Sequence, residues 1–191
     1  PTPTSDPDYT AGVLLAYHHR SGVFFVRNVM RLQASAHKVE QRIRQTAEHD
    51  GRDVAIHFEE EPGSAGKTVT DHYSRHVLPE FTVGSTRPTG SKLHRARPLS
   101  ARAERGDIQL VEAHWNEALL AELEAFPDGT HDDQVDALAG AYTWLTQNHN
   151  DNFDLTGLIN INMDLTRTSP WDFDSPDAGY KPRSTSHWRQ F

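Results

Sequence analysis

The first third of the chain alternates apolar runs with polar breaks. Apolar, β-branched runs at residues 11–17 and 23–30 flank a polar turn that contains Gly22, which predicts an antiparallel hairpin. Ser35 then precedes apolar positions that recur every four residues, which predicts a helix. The short apolar run at 54–58 follows this helix and is typical of a buried strand.

The rest of the chain repeats strand and helix. Short apolar runs predict strands at 81–83 and 108–111. Helical spacing predicts helices that end near 78, carry apolar residues over 93–103, begin at Asn116, and run from 131 to 145. Strands and helices that alternate after a hairpin predict an α/β fold, with a mixed β-sheet flanked by helices.

Length and composition narrow the class of protein. The chain has 191 residues, and we predict one domain over 1–147 and a C-terminal extension over 148–191. The extension is rich in Asn, Asp, Ser and Pro around one apolar island at 155–161, which is typical of a partly disordered or partner-docking segment. No apolar run approaches the roughly 20 residues that span a bilayer, and no signal peptide is expected.

Cysteine and charge exclude further classes. The chain has no Cys, which excludes disulfide scaffolds, zinc-thiolate sites and thiol nucleophiles. The 27 acidic residues outnumber the 19 Lys and Arg residues, so the net charge is −8. That balance argues against a protein that coats nucleic acid by bulk charge, but it leaves room for an enzyme that grips a few phosphates.

Three successive acids follow the strand at 54–58, namely Glu59, Glu60 and Glu61. Open α/β sheets carry their sites at the carboxyl ends of strands. Neighbouring carboxylates repel one another unless a cation or basic groups compensate. Because strand side chains alternate, Glu59 and Glu61 share one face and Glu60 points the other way. The alternative is an ordinary solvated charge run.

A second acidic group stands at the start of the last helix and contains Asp132, Asp133 and Asp136, with His131 beside them. A single Asp at a helix N-terminus is usually a cap, whereas three exceed that need. Oxygen-rich clusters without Cys favour Mg²⁺ or Mn²⁺. Two such ions activate water and stabilise the leaving oxygen of a phosphodiester.

Basic residues gather within a single stretch of this acidic chain. They are Arg87, Lys92, Arg95, Arg97, Arg102 and Arg105. This stripe predicts contacts with DNA phosphates, above all from Arg87, Lys92, Arg95 and Arg97. A solvated helix face is the other interpretation of such a stripe.

The loop Gly63–Thr68 ends in Gly-Lys-Thr and lies between a strand and a helix, as a phosphate-binding P-loop does. The first Gly of such a loop would fall at position 61, where the chain has Glu61, whose carboxylate would face the phosphates. A nucleotide-binding module is therefore the weaker alternative, and a Gly-rich turn explains the loop.

Several short motifs occur in a specific order over about residues 8–145, and together they resemble the C-terminal nuclease domain of the large terminase subunit of tailed bacteriophages. The motifs cover 58–67, 87–92, 106–108, 115–116 and 126–138. The resemblance implies a ribonuclease H-like fold and a metal-dependent endonuclease that cuts concatemeric double-stranded DNA with two Mg²⁺ or Mn²⁺ ions. It also implies an ATPase domain upstream, a portal protein and a small terminase subunit as partners, and a location in the host cytoplasm at the procapsid, with no membrane.

The resemblance also assigns roles to single residues. It makes Glu59 or Glu61 a metal ligand, and this choice stays open. The late acidic pair Asp132 and Asp133 matches further ligands. The remaining expected ligands are Asp136 and Asp8.

One departure from the family pattern concerns the start of the chain. The family has a metal-binding Asp on an apolar strand that would precede Pro1. We therefore expect upstream residues in the natural protein, or Asp6 or Asp8 in that role. The chain as given is expected to cut DNA weakly or not at all, and not to hydrolyse ATP.

Overall fold

The computed structural model describes residues 9–60 and 69–149. Its strands are β1 (Thr10–His18), β2 (Val23–Leu32), β3 (Ile56–Glu59), β4 (Val83–Thr86) and β5 (Ile108–Leu110). Its helices are α1 (Ala36–Asp50), α2 (Lys92–Glu104), α3 (Asn116–Ala125) and α4 (Asp133–His149), with a π-helical turn at Tyr73–Val77. The predicted α/β class is confirmed.

The predicted hairpin is present, and it forms most of the larger sheet. β1 pairs antiparallel with β2, and the register shifts between Leu14 and Leu15. Gly22 adopts a φ of 72° in the connecting turn, a conformation that glycine reaches without steric cost. β5 then adds to β2 in parallel, so the sheet is mixed.

The described strands form two sheets, and the larger one is the predicted mixed sheet flanked by helices. The larger sheet has the order β1-β2-β5, and the smaller one pairs β3 with β4 in parallel. Within the described ranges, no backbone hydrogen bonds between strands join the two sheets. Helix α4 packs on β1 and also contacts β3, so it bridges the two sheets through side chains.

The main core lies between the larger sheet and the helices α2, α3 and α4. Val26 and Leu119 are completely buried, and Ile108 and Leu138 are nearly so. A smaller core joins α1 to the π-helical turn around Leu78. Because helix α4 is apolar on the face that meets the core, its N-terminal acids lie in a fixed position relative to α2 and β3.

Several element boundaries differ from the predicted ones for local reasons. The strand predicted at 81–83 begins at Val83 and continues to Thr86. Asn116 was predicted to cap α3, but its side chain donates to Val111 O and accepts from Ala113 N, so it fixes the loop before the helix. Pro98 lies inside α2, which nevertheless continues to Glu104.

Two further predictions concern the helix that ends near residue 78 and the domain boundary at residue 147. The helix predicted to end near 78 does end there, with Leu78 N donating to Tyr73 O. Helix α4 extends to His149, slightly past the predicted domain boundary at 147. The loop 63–68 and the island 155–161 lie outside the described residues. None of the described helices is both long and apolar enough to cross a membrane.

Candidate functional site

Three elements meet where the smaller sheet ends. The parallel strands β3 and β4 place their carboxyl ends at one edge, and Glu59 is the last residue of β3. Helix α2 begins nearby at Lys92, capped by the Ser91 hydroxyl, which accepts from His94 N. Helix α4 packs against α2, so its N-terminal acids face the basic residues of the first turn of α2.

Lys92 lies among the carboxylates of α4. Its ammonium donates to both carboxylate oxygens of Asp132, at 2.7 Å each. It also lies 2.9 Å from Oδ2 of Asp136. Three carboxylate oxygens therefore surround one ammonium group.

Arg95 connects this arrangement to β3. Its Nη2 atom lies 2.8 Å from Oδ1 of Asp136 and 3.3 Å from Oε1 of Glu59. The Arg95 side chain is only 18% exposed, so its charge depends on these acids for compensation. We call the three acids Glu59, Asp132 and Asp136, together with Lys92 and Arg95, the acid–base cluster.

The pKa values of Glu59 and Lys92 reflect the close spacing of charges in the acid–base cluster. Burial raises the pKa of Glu59, the Arg95 charge opposes that rise, and the nearby Asp136 charge adds to it. Burial lowers the pKa of Lys92, but its hydrogen bonds to Asp132 and Asp136 outweigh this effect and raise it overall. Lys92 is therefore held as a cation, whereas Glu59 ionises less readily than a free Glu side chain.

Asp133 belongs to a different group of side chains from the acid–base cluster. Burial raises its pKa, and the negative charges of Glu122 and Asp132 add to that rise, while His131 and Arg31 oppose it. The His131 ring packs edge-on against Tyr9 at 5.1 Å, and the Arg31 guanidinium lies 3.8 Å above the Tyr9 ring. Asp8, the neighbour of Tyr9, lies outside the described residues.

The predicted site residues therefore fall into two sets at the start of α4. Glu59, Asp132 and Asp136 come together around Lys92 and Arg95, whereas the charges that act on Asp133 are those of Glu122, Asp132, His131 and Arg31. Glu60 points away from Glu59, as strand alternation predicts, and accepts from the Ser85 hydroxyl at 2.7 Å. Glu61 lies outside the described residues, so the choice between Glu59 and Glu61 stays open.

Glu122, which the sequence patterns did not single out, accepts hydrogen bonds from the first backbone amides of α4. The carboxylate of Glu122 in α3 accepts from the backbone N–H of Gln134 at 2.6 Å and of Val135 at 3.2 Å. Its second oxygen accepts from the Gln134 side chain at 2.6 Å. Glu122 is 7% exposed and Gln134 is 1% exposed. A buried acid of another helix thus satisfies amides that a local cap usually serves.

The sequence does carry a signal for Glu122. It follows Leu119 by three residues and precedes Phe126 by four, so it lies on the apolar face of α3. An acid at such a position has to find hydrogen-bond donors in the core. Its partner cannot be identified from the sequence, because Gln134 is brought to it by tertiary packing.

The basic stripe is largely neutralised by the chain's own acids. Besides Lys92 and Arg95, Arg87 pairs with Glu60 at 3.3 Å, and both Arg102 and Arg105 pair with Asp107. The exception within the described ranges is Arg97, which makes no ion pair and lines an apolar cavity of about 340 Å³ between α2, α3 and α4. The predicted contacts of Arg87, Lys92, Arg95 and Arg97 with DNA stay a prediction.

The donors of the acid–base cluster suit a hard divalent cation, because all of them are carboxylate oxygens. Their spacing is set by Lys92 and Arg95, which stand between them. Among residues 9–60 and 69–149, no three His, Asp or Glu side chains converge closely enough to hold a metal ion by themselves. The chemistry of the donor set, carboxylate oxygens alone, is the kind that Mg²⁺ and Mn²⁺ prefer.

Comparison with known proteins identifies the family. The sequence model described as the terminase RNaseH-like domain matches residues 1–144 of the 191. The match extends from the start of the chain through most of α4, so it includes both strand β3 and the acids of α4. The chain belongs to this family, and the resemblance and the ribonuclease H-like fold class are confirmed. Searches of curated proteins and of solved structures found no match.

Proposed function

We propose that this member of the terminase RNaseH-like family is the metal-dependent DNA endonuclease domain of a viral packaging terminase, which cuts concatemeric double-stranded DNA. Family membership supports a nuclease-type domain. The observation that carries the finer proposal is the meeting of Glu59 with Asp132 and Asp136 at one sheet edge. Carboxylates from a strand end and a helix start form the kind of oxygen-rich site that phosphodiester hydrolysis uses.

The chain's own residues would hold the ions. Glu59 or Glu61, together with Asp132 and Asp136, would provide oxygen ligands at one position. Asp133 and Asp8 would provide ligands at a second. Bound Mg²⁺ or Mn²⁺ supplies water activation and charge stabilisation at the scissile phosphate. Arg95 would orient Glu59 and Asp136, because its guanidinium contacts both carboxylates.

The substrate and partners in this proposal are those of a packaging motor. Double-stranded DNA would approach the edge where β3 and β4 end, near Arg87 and Lys92. An ATPase domain upstream, the portal protein and the small terminase subunit would be the protein partners, in the host cytoplasm at the procapsid. The segment 148–191 would be the extension that docks to one of them.

The proposal is tested by plasmid cleavage in Mn²⁺, with this chain and with a version extended upstream of Pro1. Replacing Asp136 with Asn keeps the shape of the side chain but removes one charge from two ion pairs. We expect cleavage to fall by at least about 100-fold, because a metal ligand contributes several kcal/mol to the transition state. Glu117→Gln, on the first turn of α3, is a matched control because it lies outside the acid–base cluster. Equal cleavage by Asp136→Asn and the unmodified protein would contradict the assignment.

Two alternatives predict different measurements. A nucleotide-binding module at Gly63–Thr68 predicts ATP binding that Lys67→Ala abolishes, and calorimetry without ATP binding would dispose of it. A non-catalytic docking domain of the motor predicts that Mn²⁺ neither binds nor raises the midpoint of thermal unfolding. Thermal unfolding with and without Mn²⁺ therefore separates the nuclease from the docking domain.

A further inference from the structure

The ammonium of Lys92 occupies a cation position built by two acids of α4. Three carboxylate oxygens, both of Asp132 and one of Asp136, lie within 2.9 Å of Nζ. These are oxygens that the proposed function assigns to a divalent ion. A lysine ammonium and a metal ion cannot share that position, since both carry positive charge and both need the same oxygens.

The two cations of the acid–base cluster differ in how easily they leave it. The Arg95 side chain is 18% exposed and bridges Glu59 on β3 to Asp136 on α4, so its removal would break both ion pairs. The Lys92 side chain is 52% exposed and stands on a flexible four-carbon stem in the first turn of α2. Lys92 can swing into solvent at small cost, whereas Arg95 is fixed.

The net charge of the acid–base cluster favours exchange of the Lys92 ammonium for a divalent cation. The three carboxylates and two cations of the acid–base cluster leave one formal negative charge. If Lys92 left, the three carboxylates and Arg95 would carry a net charge of −2, which is the charge that one divalent cation neutralises. Entry of a divalent ion and departure of Lys92 therefore keep the cluster close to neutral, while entry with Lys92 in place would not.

We propose that Lys92 is a built-in counter-cation that holds the place of a divalent ion between Asp132 and Asp136 and is released when that ion binds. The inference rests on the proposed function, because it concerns the same acids. It gives Lys92 a role in metal binding that is distinct from an ordinary surface ion pair. In the metal-free protein Lys92 screens the repulsion between acids, and in the loaded protein its ammonium faces solvent beside the incoming DNA.

The test measures Mn²⁺ affinity by calorimetry in the absence of DNA, with the full 191-residue chain. Lys92→Met removes the competing charge and keeps most of the apolar stem. We expect Mn²⁺ to bind about 5- to 20-fold more tightly, because the ion no longer has to displace a bound cation. Lys92→Gln should behave similarly, which would assign the effect to charge and not to packing. Lys38→Met, an exposed lysine of α1, is the matched control and should bind Mn²⁺ as the unmodified protein does.

The melting temperature provides a second readout for the same variants, and it does not require an activity assay. The rise in melting temperature that a fixed Mn²⁺ concentration produces should be larger for Lys92→Met than for the unmodified protein. Unchanged or weaker Mn²⁺ affinity in both Lys92 variants would overturn the inference while leaving the proposed function intact, provided that the unmodified protein binds Mn²⁺. If neither the unmodified chain nor the variants bind Mn²⁺, the inference about Lys92 is wrong, and the proposed function is decided separately by plasmid cleavage with the version extended upstream of Pro1.

Discussion

Carboxylates where α3 meets the start of α4 occupy two different settings, one buried and one partly exposed. Glu122 is buried, and backbone and side-chain N–H groups of the same protein saturate its oxygens. Asp132 and Asp136, at the start of α4, are held by Lys92, whose side chain is 52% exposed. A carboxylate that is satisfied by the backbone cannot be recruited by a ligand without unfolding the helix start. A carboxylate that is satisfied by an exposed lysine can exchange its partner.

This difference separates a structural acid on α3 from the proposed metal ligands at the start of α4. Asp136 N donates to Asp132 O at 2.9 Å, so the helix begins at these proposed ligands. Glu122 fixes that beginning from a neighbouring helix. Glu122 is therefore a positioning residue, and the positions of Asp132, Asp133 and Asp136 depend on it.

The largest effect is expected from Glu122→Ala. The substitution leaves two backbone N–H groups without their acceptor in a buried site, and it leaves the Gln134 side-chain amide with the longer of its two hydrogen bonds, 3.5 Å to Ala118 O. We expect the free energy of unfolding to fall by about 3–5 kcal/mol, as when one partner of a buried charged network is removed. Urea unfolding measures this. A loss below 1 kcal/mol would show that water replaces the carboxylate, and the contrast with the exposed acids would disappear.

An intermediate effect on the free energy of unfolding is expected when the residue types of the buried partners Glu122 and Gln134 are exchanged. Glu122→Gln alone places its amide N–H₂ against the Gln134 amide N–H₂, so donors face donors. Adding Gln134→Glu restores a donor–acceptor pair with the same atoms in reversed order. We expect the double variant to recover about half or more of the stability that the single variant loses, by urea unfolding. Independent, additive losses would show that the two side chains are not coupled.

The smallest effect is expected at the other end of α2, where Asp107 pairs with Arg102 and Arg105. Their hydrogen bonds lower the pKa of Asp107, with Arg105 contributing most. A carboxyl group whose pKa is lower in the folded state stabilises the fold above its unfolded pKa, and that stability is lost as pH falls through the folded value. Asp107→Asn should therefore lower the melting temperature slightly at pH 7, and less than Glu122→Ala does.

The pH dependence sharpens this last comparison. Below the ordinary Asp pKa of 3.8, the unmodified protein and Asp107→Asn should converge in stability, because the carboxylate becomes protonated. Urea midpoints measured from pH 7 down to about pH 3 would follow the convergence. A difference that persists unchanged at low pH would mean that Asp107 stabilises the fold through packing and not through its charge.

Local sequence patterns predicted the elements well. The hairpin, the helix after Ser35 and the helix that starts with the Asp132–Asp133 pair follow from apolar periodicity and turn residues, which act over a few neighbours. The division of Glu59 and Glu60 between two faces follows from strand geometry alone. The motif order was sufficient to identify the family.

The sequence by itself determined which residue types are available: oxygen donors without cysteine, a basic stripe, and acids at a strand end and a helix start. Tertiary structure decided how they pair. It turned Lys92 and Arg95 toward the carboxylates, and it made Glu122 the acceptor for the first amides of α4. Pairing between distant residues depends on how helices and strands pack, and no local pattern encodes that packing, so these partners emerge only from the folded chain.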